Sequence, residues 1–208
     1  MRLTLLLSSM CLLLGDVARA GEPAPPEQTG EDLATISLTF GGMGGPYVAW
    51  TRVNGEHSLF VGGRGGVILD HQLVLGLGGG GTVDRIAVPR GGTVDDADYR
   101  LELGYGGLWV EYIIAPFKPL HGSFGVLIGG GGVSYTRFRG SGGPEDSEAE
   151  DGFFVVEPLV AAEVSLASFM RLDLFAGYRF AAGVDLPKLG DGDVSGPVIG
   201  AMLKFGSF

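Results

Sequence analysis

The chain has almost no cysteine. Its single cysteine is Cys11, which lies within the first 20 residues, a segment that we expect to be removed on export. The remaining chain therefore has no cysteine and no disulfide, even though it enters an oxidising compartment.

Basic residues are also scarce. The chain has 14 lysines and arginines against 24 aspartates and glutamates, which gives a formal net charge of -10. Nucleic-acid binding depends on neutralising phosphates with basic side chains. The charge balance therefore argues against nucleic acid as a partner.

No apolar run is long enough to form a membrane-spanning helix. The longest, residues 3–14, is too short to cross a bilayer. It follows Arg2 and precedes Ala18-Arg19-Ala20, which has the small-x-small form that signal peptidase cuts. Residues 1–20 are therefore predicted to be a cleaved signal peptide.

The segment after this peptide lacks apolar periodicity. Residues 21–34 read GEPAPPEQTGEDLA and are rich in proline and acid. Such a composition predicts a flexible leader. The folded domain is then expected to comprise residues 35–208.

Helical periodicity is missing from that domain. Apolar residues recur with period two: Ile36, Leu38 and Phe40 alternate with polar neighbours, which is typical of β-strands. Asn54-Gly55 between two such runs is a strong hairpin signal. The pattern predicts an all-β, antiparallel, up-and-down fold of about eight strands. Their approximate bounds are 36–53, 58–69, 72–82, 99–114, 121–137, 153–166, 170–183 and 196–208.

The connections alternate in length. Those at 70–71, 115–120 and 167–169 are short, whereas those at 83–98, 138–152 and 184–195 are long and polar; Asn54-Gly55 is a tight exception on the long-loop side. Short turns at one end and long loops at the other are typical of a transmembrane β-barrel. A closed barrel also satisfies every backbone polar group in lipid.

Strand parity divides the side chains into an apolar set and a charged set. In residues 170–183, Leu172, Leu174 and Tyr178 share one face, and Arg171, Asp173 and Arg179 share the other. Eight strands leave an interior that side chains just fill, whereas a pore needs more strands. We therefore predict a closed, ion-paired interior. Its members are Arg64, Glu102, Glu111, Glu157, Glu163, Asp173, Arg179 and Lys204.

The pattern of strands and connections resembles a known class of barrels, the small outer-membrane β-barrels of Gram-negative bacteria of the OmpA-transmembrane-domain and OmpX type. Four segments, "FGGMGGPYVAW", "LFVGGRGGVI", "LIGGGGVSY" and the terminal "LKFGSF", also resemble uncharacterised exported barrel proteins. The resemblance covers about residues 35–208. It implies an outer-membrane location, lipid as the surrounding partner, and a C-terminal Phe208 that is read by the barrel-assembly machinery.

Two other function classes stay open. A soluble periplasmic barrel could bind an apolar ligand, which would require apolar inner faces. A lipid A-modifying enzyme is suggested by His121 and Ser123, whose spacing places both side chains on one face of a strand. We expect no catalytic site, no cofactor and no resident metal, and a structural or surface-interaction role.

The long loops are acidic. Asp191-Gly192-Asp193 and the group Glu145, Asp146, Glu148, Glu150 and Asp151 have the carboxylates that Ca²⁺ prefers. A surface partner or a divalent cation is therefore a further possibility at these loops.

Overall fold

The computed structural model describes residues 38–83, 86–87, 99–137, 146–186 and 189–208. The predicted signal peptide and leader lie outside the described residues, as does Glu145 of the acidic loop. Within the described part, no helix is long and apolar enough to cross a bilayer.

Eight long strands form the domain. They are β1 (Phe40–Val53), β2 (Glu56–Leu69), β3 (Leu73–Thr82), β5 (Tyr99–Ile114), β6 (Leu120–Arg137), β7 (Asp146–Ala167), β8 (Met170–Ala182) and β11 (Gly196–Ser207). Seven of the predicted strands match these bounds closely. The predicted sixth strand is too short, because β7 begins at Asp146 instead of near Phe153.

The sheet closes on itself. Each long strand pairs antiparallel with its neighbours in sequence, β3 pairs with β5, and the first long strand β1 pairs with the last, β11. The fold is therefore a closed, antiparallel, eight-stranded β-barrel, as the alternating pattern predicts.

The two ends of the barrel differ. One end, here called the turn end, carries the connections after β2, β5 and β7 together with the start of β1 and the end of β11. The loop end carries the other connections. Asn54-Gly55 makes the tight hairpin there, with φ of 50° and 79° at the two residues. Positive φ at both central positions is the type I′ requirement that this dipeptide meets.

Three short strands and one helical turn lie near the loop end. They are β4 (Ile86–Ala87), β9 (Asp185–Leu186), β10 (Leu189–Gly190) and α1 (Asp191–Val194). Val184, Leu186, Leu189 and Val194 are buried. The Asn54 amide donates to the Asp193 carbonyl at 2.6 Å. This connection therefore covers the loop end with an apolar cap that adds to the core.

Interior and exterior faces alternate along the long strands where the structure describes their side chains. On β8, Arg171, Asp173 and Arg179 are buried, while Leu174 and Phe180 are exposed. The same alternation on β2, β7 and β11 follows the predicted parity. The core of the barrel therefore contains the charged set, and much of the apolar set faces outward.

Candidate functional site

Seven of the eight predicted interior residues are buried within the barrel. They are Arg64, Glu111, Glu157, Glu163, Asp173, Arg179 and Lys204. Each lies on the inward side of a long strand, so the period-two alternation alone brings them together. They form three levels between the turn end and the loop end.

The level nearest the turn end is a cluster around Lys204 on β11. The Lys204 Nζ lies 2.7 Å from Glu111 Oε1, 2.9 Å from Glu163 Oε1 and 2.9 Å from Asp173 Oδ2. Glu111 comes from β5, Glu163 from β7 and Asp173 from β8. One ammonium therefore joins three carboxylates from three strands. We call these four residues the lysine cluster.

Neutral donors complete the environment of Glu111. The Ser123 hydroxyl donates to Glu111 Oε1 at 2.6 Å, and the Trp109 indole Nε1 donates to Glu111 Oε2 at 3.2 Å. Hydrogen bonds of this kind compensate a buried carboxylate for lost hydration. Glu111 is therefore satisfied on both oxygens.

His121 and Arg171 lie between the lysine cluster and the turn end. The His121 Nε2 is 3.5 Å from Glu163 Oε2 and 3.2 Å from Arg171 Nη1. Its Nδ1 is 2.9 Å from the Lys118 carbonyl oxygen. A carbonyl oxygen only accepts, so Nδ1 carries the proton and donates to it. This contact fixes the ring beside Glu163.

Arg64 occupies the middle level. Its guanidinium carbon lies 4.7 Å from the Tyr47 ring centroid and 4.5 Å from the centroids of both Trp109 and Phe175. Its Nη2 is 3.6 Å from Glu157 Oε1. No nitrogen of its guanidinium makes a hydrogen bond with a described residue. Arg64 is thus held by three aromatic faces and one carboxylate.

Tyr105 links the middle level to the loop end. Its hydroxyl donates to Glu157 Oε2, and the Arg179 guanidinium carbon lies 5.4 Å from its ring centroid. Glu157 is therefore shared between Arg64 and a neutral donor.

Arg179 forms the level nearest the loop end, and its partners are carbonyl oxygens. Its Nε donates to the Val194 carbonyl at 2.8 Å and its Nη2 to the Arg52 carbonyl at 3.3 Å. Within the described residues no carboxylate lies within 4 Å of it. Arg179 therefore fixes the cap at the loop end through carbonyl oxygens, and it forms no ion pair with the part of the chain that the structure describes.

Glu102 is a correction to the predicted interior set. It is exposed, while Leu101, Leu103 and Tyr105 on the same strand are buried. The pairing of β5 with β6 runs without a shift through Gly106-Gly107, so Glu102 and Glu111, which are nine residues apart, face opposite sides of β5. Near the loop end the interior is apolar and the exterior polar, which reverses the pattern that the prediction assumed.

The tricarboxylate geometry could hold a metal ion. Ligand oxygens of Glu111, Glu163 and Asp173 lie within 4.8 Å of one another. The Lys204 ammonium, however, contacts all three side chains at 2.7 to 2.9 Å. It supplies the positive charge that a cation would bring.

No hydrogen bond joins the two candidate enzyme residues, both of which the structure describes. His121 and Ser123 are both buried and face the barrel interior, and each is next to a different carboxylate, Glu163 and Glu111 respectively. A hydroxyl nucleophile needs a base within hydrogen-bond reach. This arrangement leaves Ser123, whose hydroxyl donates to Glu111, without the histidine as its base.

Two carboxylates of the last long connection accept backbone hydrogen bonds. Asp191 Oδ1 accepts from the Val184 amide at 2.8 Å, and Asp193 Oδ2 accepts from the Gly190 amide at 2.9 Å. Glu150, predicted to lie in a loop, belongs to β7 and is exposed. A divalent cation at these loops stays a prediction.

The terminal Phe208 turns toward the interior. Its ring centroid lies 3.9 Å from the Arg171 guanidinium carbon, and the ring packs partly against the core. Phe205, by contrast, is exposed on the outward side. The C-terminal ring therefore helps to close the turn end of the barrel.

Comparison with known proteins finds solved structures with a similar fold. No protein-family model matches the chain, and no curated protein matches it by sequence. The crystal structure of Neisserial surface protein A (NspA) matches with a TM-score of 0.56 and 12% identity, covering 82% of this chain and 99% of that one.

Two Pseudomonas aeruginosa structures match less well. The N-terminal β-barrel domain of OprF has a TM-score of 0.47 and 12% identity, over 79% of this chain and 96% of that one. The outer membrane protein OprG has a TM-score of 0.46 and 11% identity, over 80% and 95%. The chain therefore shares the eight-stranded barrel fold of NspA, which confirms the fold that the sequence resemblance implies.

Proposed function

We propose that this protein is an integral outer-membrane β-barrel with a structural or surface-interaction role and a closed, ion-paired interior. The observation that carries the proposal is a broad band of exposed apolar side chains on the outward face. Leu77 and Leu108 are each 65% exposed, and Val160 is 62% exposed. Soluble monomers rarely expose contiguous apolar surface of this kind. A bilayer would cover it.

Aromatic side chains border this band on both sides. Toward the loop end they are Trp50, Phe154, Tyr178 and Phe180, and toward the turn end they are Tyr112, Phe124 and Phe205. Aromatic girdles at the two interfaces are typical of outer-membrane barrels.

The spacing of the two girdles suits a membrane. Phe205 pairs with Met170, ten residues before Phe180 on β8. Ten strand residues rise roughly 34 Å along the strand. At a tilt of about 40° this gives a height of roughly 26 Å, against an apolar band of about 25 Å in such barrels.

The interior argues for a closed barrel. The three charged levels, the aromatic rings around Arg64 and the cap held by Arg179 occupy it at successive heights. An eight-stranded interior is about wide enough for its own side chains. A soluble barrel that binds an apolar ligand would need an apolar cavity where Lys204, Glu111 and Glu163 meet. The charged interior supports the membrane proposal over this alternative.

Phe208 would act in assembly. Its partner, Arg171, lies on β8, next to β11 in the closed barrel. The contact between the Phe208 ring and Arg171 therefore forms when β8 and β11 pair. Before these two strands pair, the ring would be accessible to the assembly machinery. Phe208→Ala is expected to lower the amount of barrel in the outer membrane, and Ser207→Ala is the matched control. Equal amounts of both variants would contradict the role of Phe208.

Cell fractionation tests the main proposal. The full chain is expressed in a Gram-negative host, and the membranes are separated and washed with alkaline carbonate and then urea. We expect the protein in the washed outer-membrane fraction, as a band whose electrophoretic mobility changes on boiling. Recovery in the soluble periplasmic fraction would overturn the proposal.

A further inference from the structure

Two residues that can carry positive charge stand side by side on the outward face near the loop end. Arg52 on β1 and His57 on β2 are direct cross-strand partners, and both are exposed. No described carboxylate lies within 4 Å of either side chain. The pair therefore lacks a counter-charge from the described protein.

The guanidinium of Arg52 is oriented and has unused donors. Its Nε donates to the Gly55 carbonyl at 3.0 Å. Its two terminal amino groups donate to no described residue. The His57 ring lies against that of Trp50, with the ring planes tilted by 34° and the centroids 5.2 Å apart. Arg52 is thus held on the surface in a defined position without a described counter-charge, and the His57 ring stands beside it.

A hollow opens beside Arg52. Its volume is about 270 Å³, and its walls include Arg52, Tyr178, Ser195, Gly196 and Pro197. Pro197 pairs with Tyr178 across the neighbouring strands. The hollow therefore lies between a guanidinium and an exposed phenol. Asp193 also contributes to its wall, and this carboxylate is engaged by the Gly190 amide at 2.9 Å.

The height of the hollow is that of lipid headgroups. Trp50 and Tyr178 belong to the loop-end aromatic girdle of the proposed membrane barrel, and Arg52 lies one outward position beyond Trp50. Tryptophan and tyrosine are enriched at the membrane–water interface. A group bound at Arg52 would lie just outside the hydrocarbon.

We propose that Arg52, His57 and Tyr178 form a binding site for the phosphate group of a phosphorylated lipid in the leaflet at the loop end. We call these three residues the rim site. The two free amino groups of Arg52 match the paired oxygens of a phosphate. His57 and the Tyr178 hydroxyl add donors on either side. The apolar band directly below would contact the acyl chains, which favours a lipid over free phosphate. This proposal rests on the proposed membrane location.

Lipid binding can be measured on the full chain in vesicles. The protein is inserted into phosphatidylcholine vesicles with or without bisphosphorylated lipid A, extracted in mild detergent, and analysed by native mass spectrometry for retained lipid. The variants are Arg52→Gln and His57→Gln. Lys118→Gln is the matched control, because it removes an exposed positive charge at the opposite end of the barrel.

The expected result is retention of lipid A by the wild-type protein and by Lys118→Gln. Arg52→Gln should reduce retention about tenfold, which is the scale of a lost charge-assisted hydrogen bond. His57→Gln should reduce it less. Dephosphorylated lipid A should be retained by none of them. Equal retention by wild type and Arg52→Gln would overturn the rim site, as would an equal loss in Lys118→Gln.

Two further measurements distinguish the possible reasons for a negative result. Inorganic phosphate is added as a competitor. If it displaced lipid A at millimolar concentration, the site would recognise free phosphate and the lipid assignment would be wrong. Insertion into vesicles of phosphatidylcholine alone is measured first, from the change in electrophoretic mobility of the barrel on boiling. Failure to insert would contradict the proposed function, whereas insertion without lipid A retention would contradict the rim site alone.

Discussion

The Lys204 ammonium and the Glu111 carboxylate meet at 2.7 Å across the full width of the barrel. Their strands, β11 and β5, lie four positions apart in the closed order of eight long strands, so they are on opposite walls. A contact between opposite walls depends on closure of the sheet. The Lys204–Glu111 ion pair can therefore form only in the closed barrel, and its stability depends on closure.

Replacing Lys204 with methionine should destabilise the barrel strongly. The change leaves Glu111, Glu163 and Asp173 buried without their shared cation, and the cost of breaking a buried ion pair from one side is about 3–5 kcal/mol. The free energy of unfolding can be measured by urea titration in lipid bilayers. Lys118→Met removes an exposed lysine and should cost less than about 1 kcal/mol. Similar costs for both variants would show that the lysine cluster contributes little to stability.

Two substitutions of Arg64 distinguish the contribution of its charge to stability from that of its planar shape. Arg64→Met should cost about 3–5 kcal/mol, because Glu157 then loses its cation. Arg64→Lys keeps the charge but loses the planar group that contacts three aromatic rings, so an intermediate cost is expected. The same urea titration measures both. If lysine restored full stability, the aromatic contacts would be irrelevant to how Arg64 is held.

Gly78 provides space for the Arg64 side chain. A Cβ at this position would lie 3.0 Å from Arg64 Cγ and 3.3 Å from Leu127 Cδ1. Gly78→Ala should therefore cost about 1–3 kcal/mol through overpacking. Gly132→Ala is the matched control on the outward side, where the nearest atom, the Asp151 carbonyl oxygen, is 3.8 Å away. We expect the control to be neutral or slightly stabilising, and a large cost in both variants would contradict the assigned facing.

The lipid A composition of cells tests the enzyme alternative. His121 and Ser123 are each committed to a different buried carboxylate, so overexpression should leave lipid A unchanged, and His121→Ala should make no difference. Mass spectra of extracted lipid A provide the measurement. A modified lipid A that disappears in His121→Ala would restore the enzymatic assignment.

The sequence predicts the barrel well because its signals are local. Period-two alternation and turn chemistry such as Asn54-Gly55 depend on neighbouring residues, and they define strand number, order and most of the facing. The interior set follows from the same parity in β2, β7, β8 and β11.

The errors lie where a local pattern is compatible with either face of the strand pointing inward. Around Glu102 the strand extends beyond the aromatic girdle, and there the polar side faces water, as in a soluble protein. The alternation of side chains alone does not show at which residue along the strand the outward face changes from apolar to polar. The partners of Arg179 were missed for a different reason. They are backbone carbonyl oxygens, which every residue has, so the sequence does not show which of them will accept a hydrogen bond.

The contacts of three aromatic residues with Arg64 were also missed. Tyr47, Trp109 and Phe175 share the inward parity of the charged residues, so their facing follows from the alternation. Their contacts with one guanidinium depend on the closed geometry, because they come from β1, β5 and β8. Long-range proximity of this kind cannot be read from spacing along one strand.

Contact between the apolar band and lipid acyl chains is the most direct test of the proposed function. In a Cys11→Ser background, Leu108→Cys and Glu102→Cys each give a unique attachment site for a fluorophore on the outward side of β5, where both native residues are exposed. Vesicles with brominated acyl chains should quench the label at residue 108 strongly and the label at residue 102 weakly. Equal, weak quenching at both positions would contradict a membrane-spanning barrel.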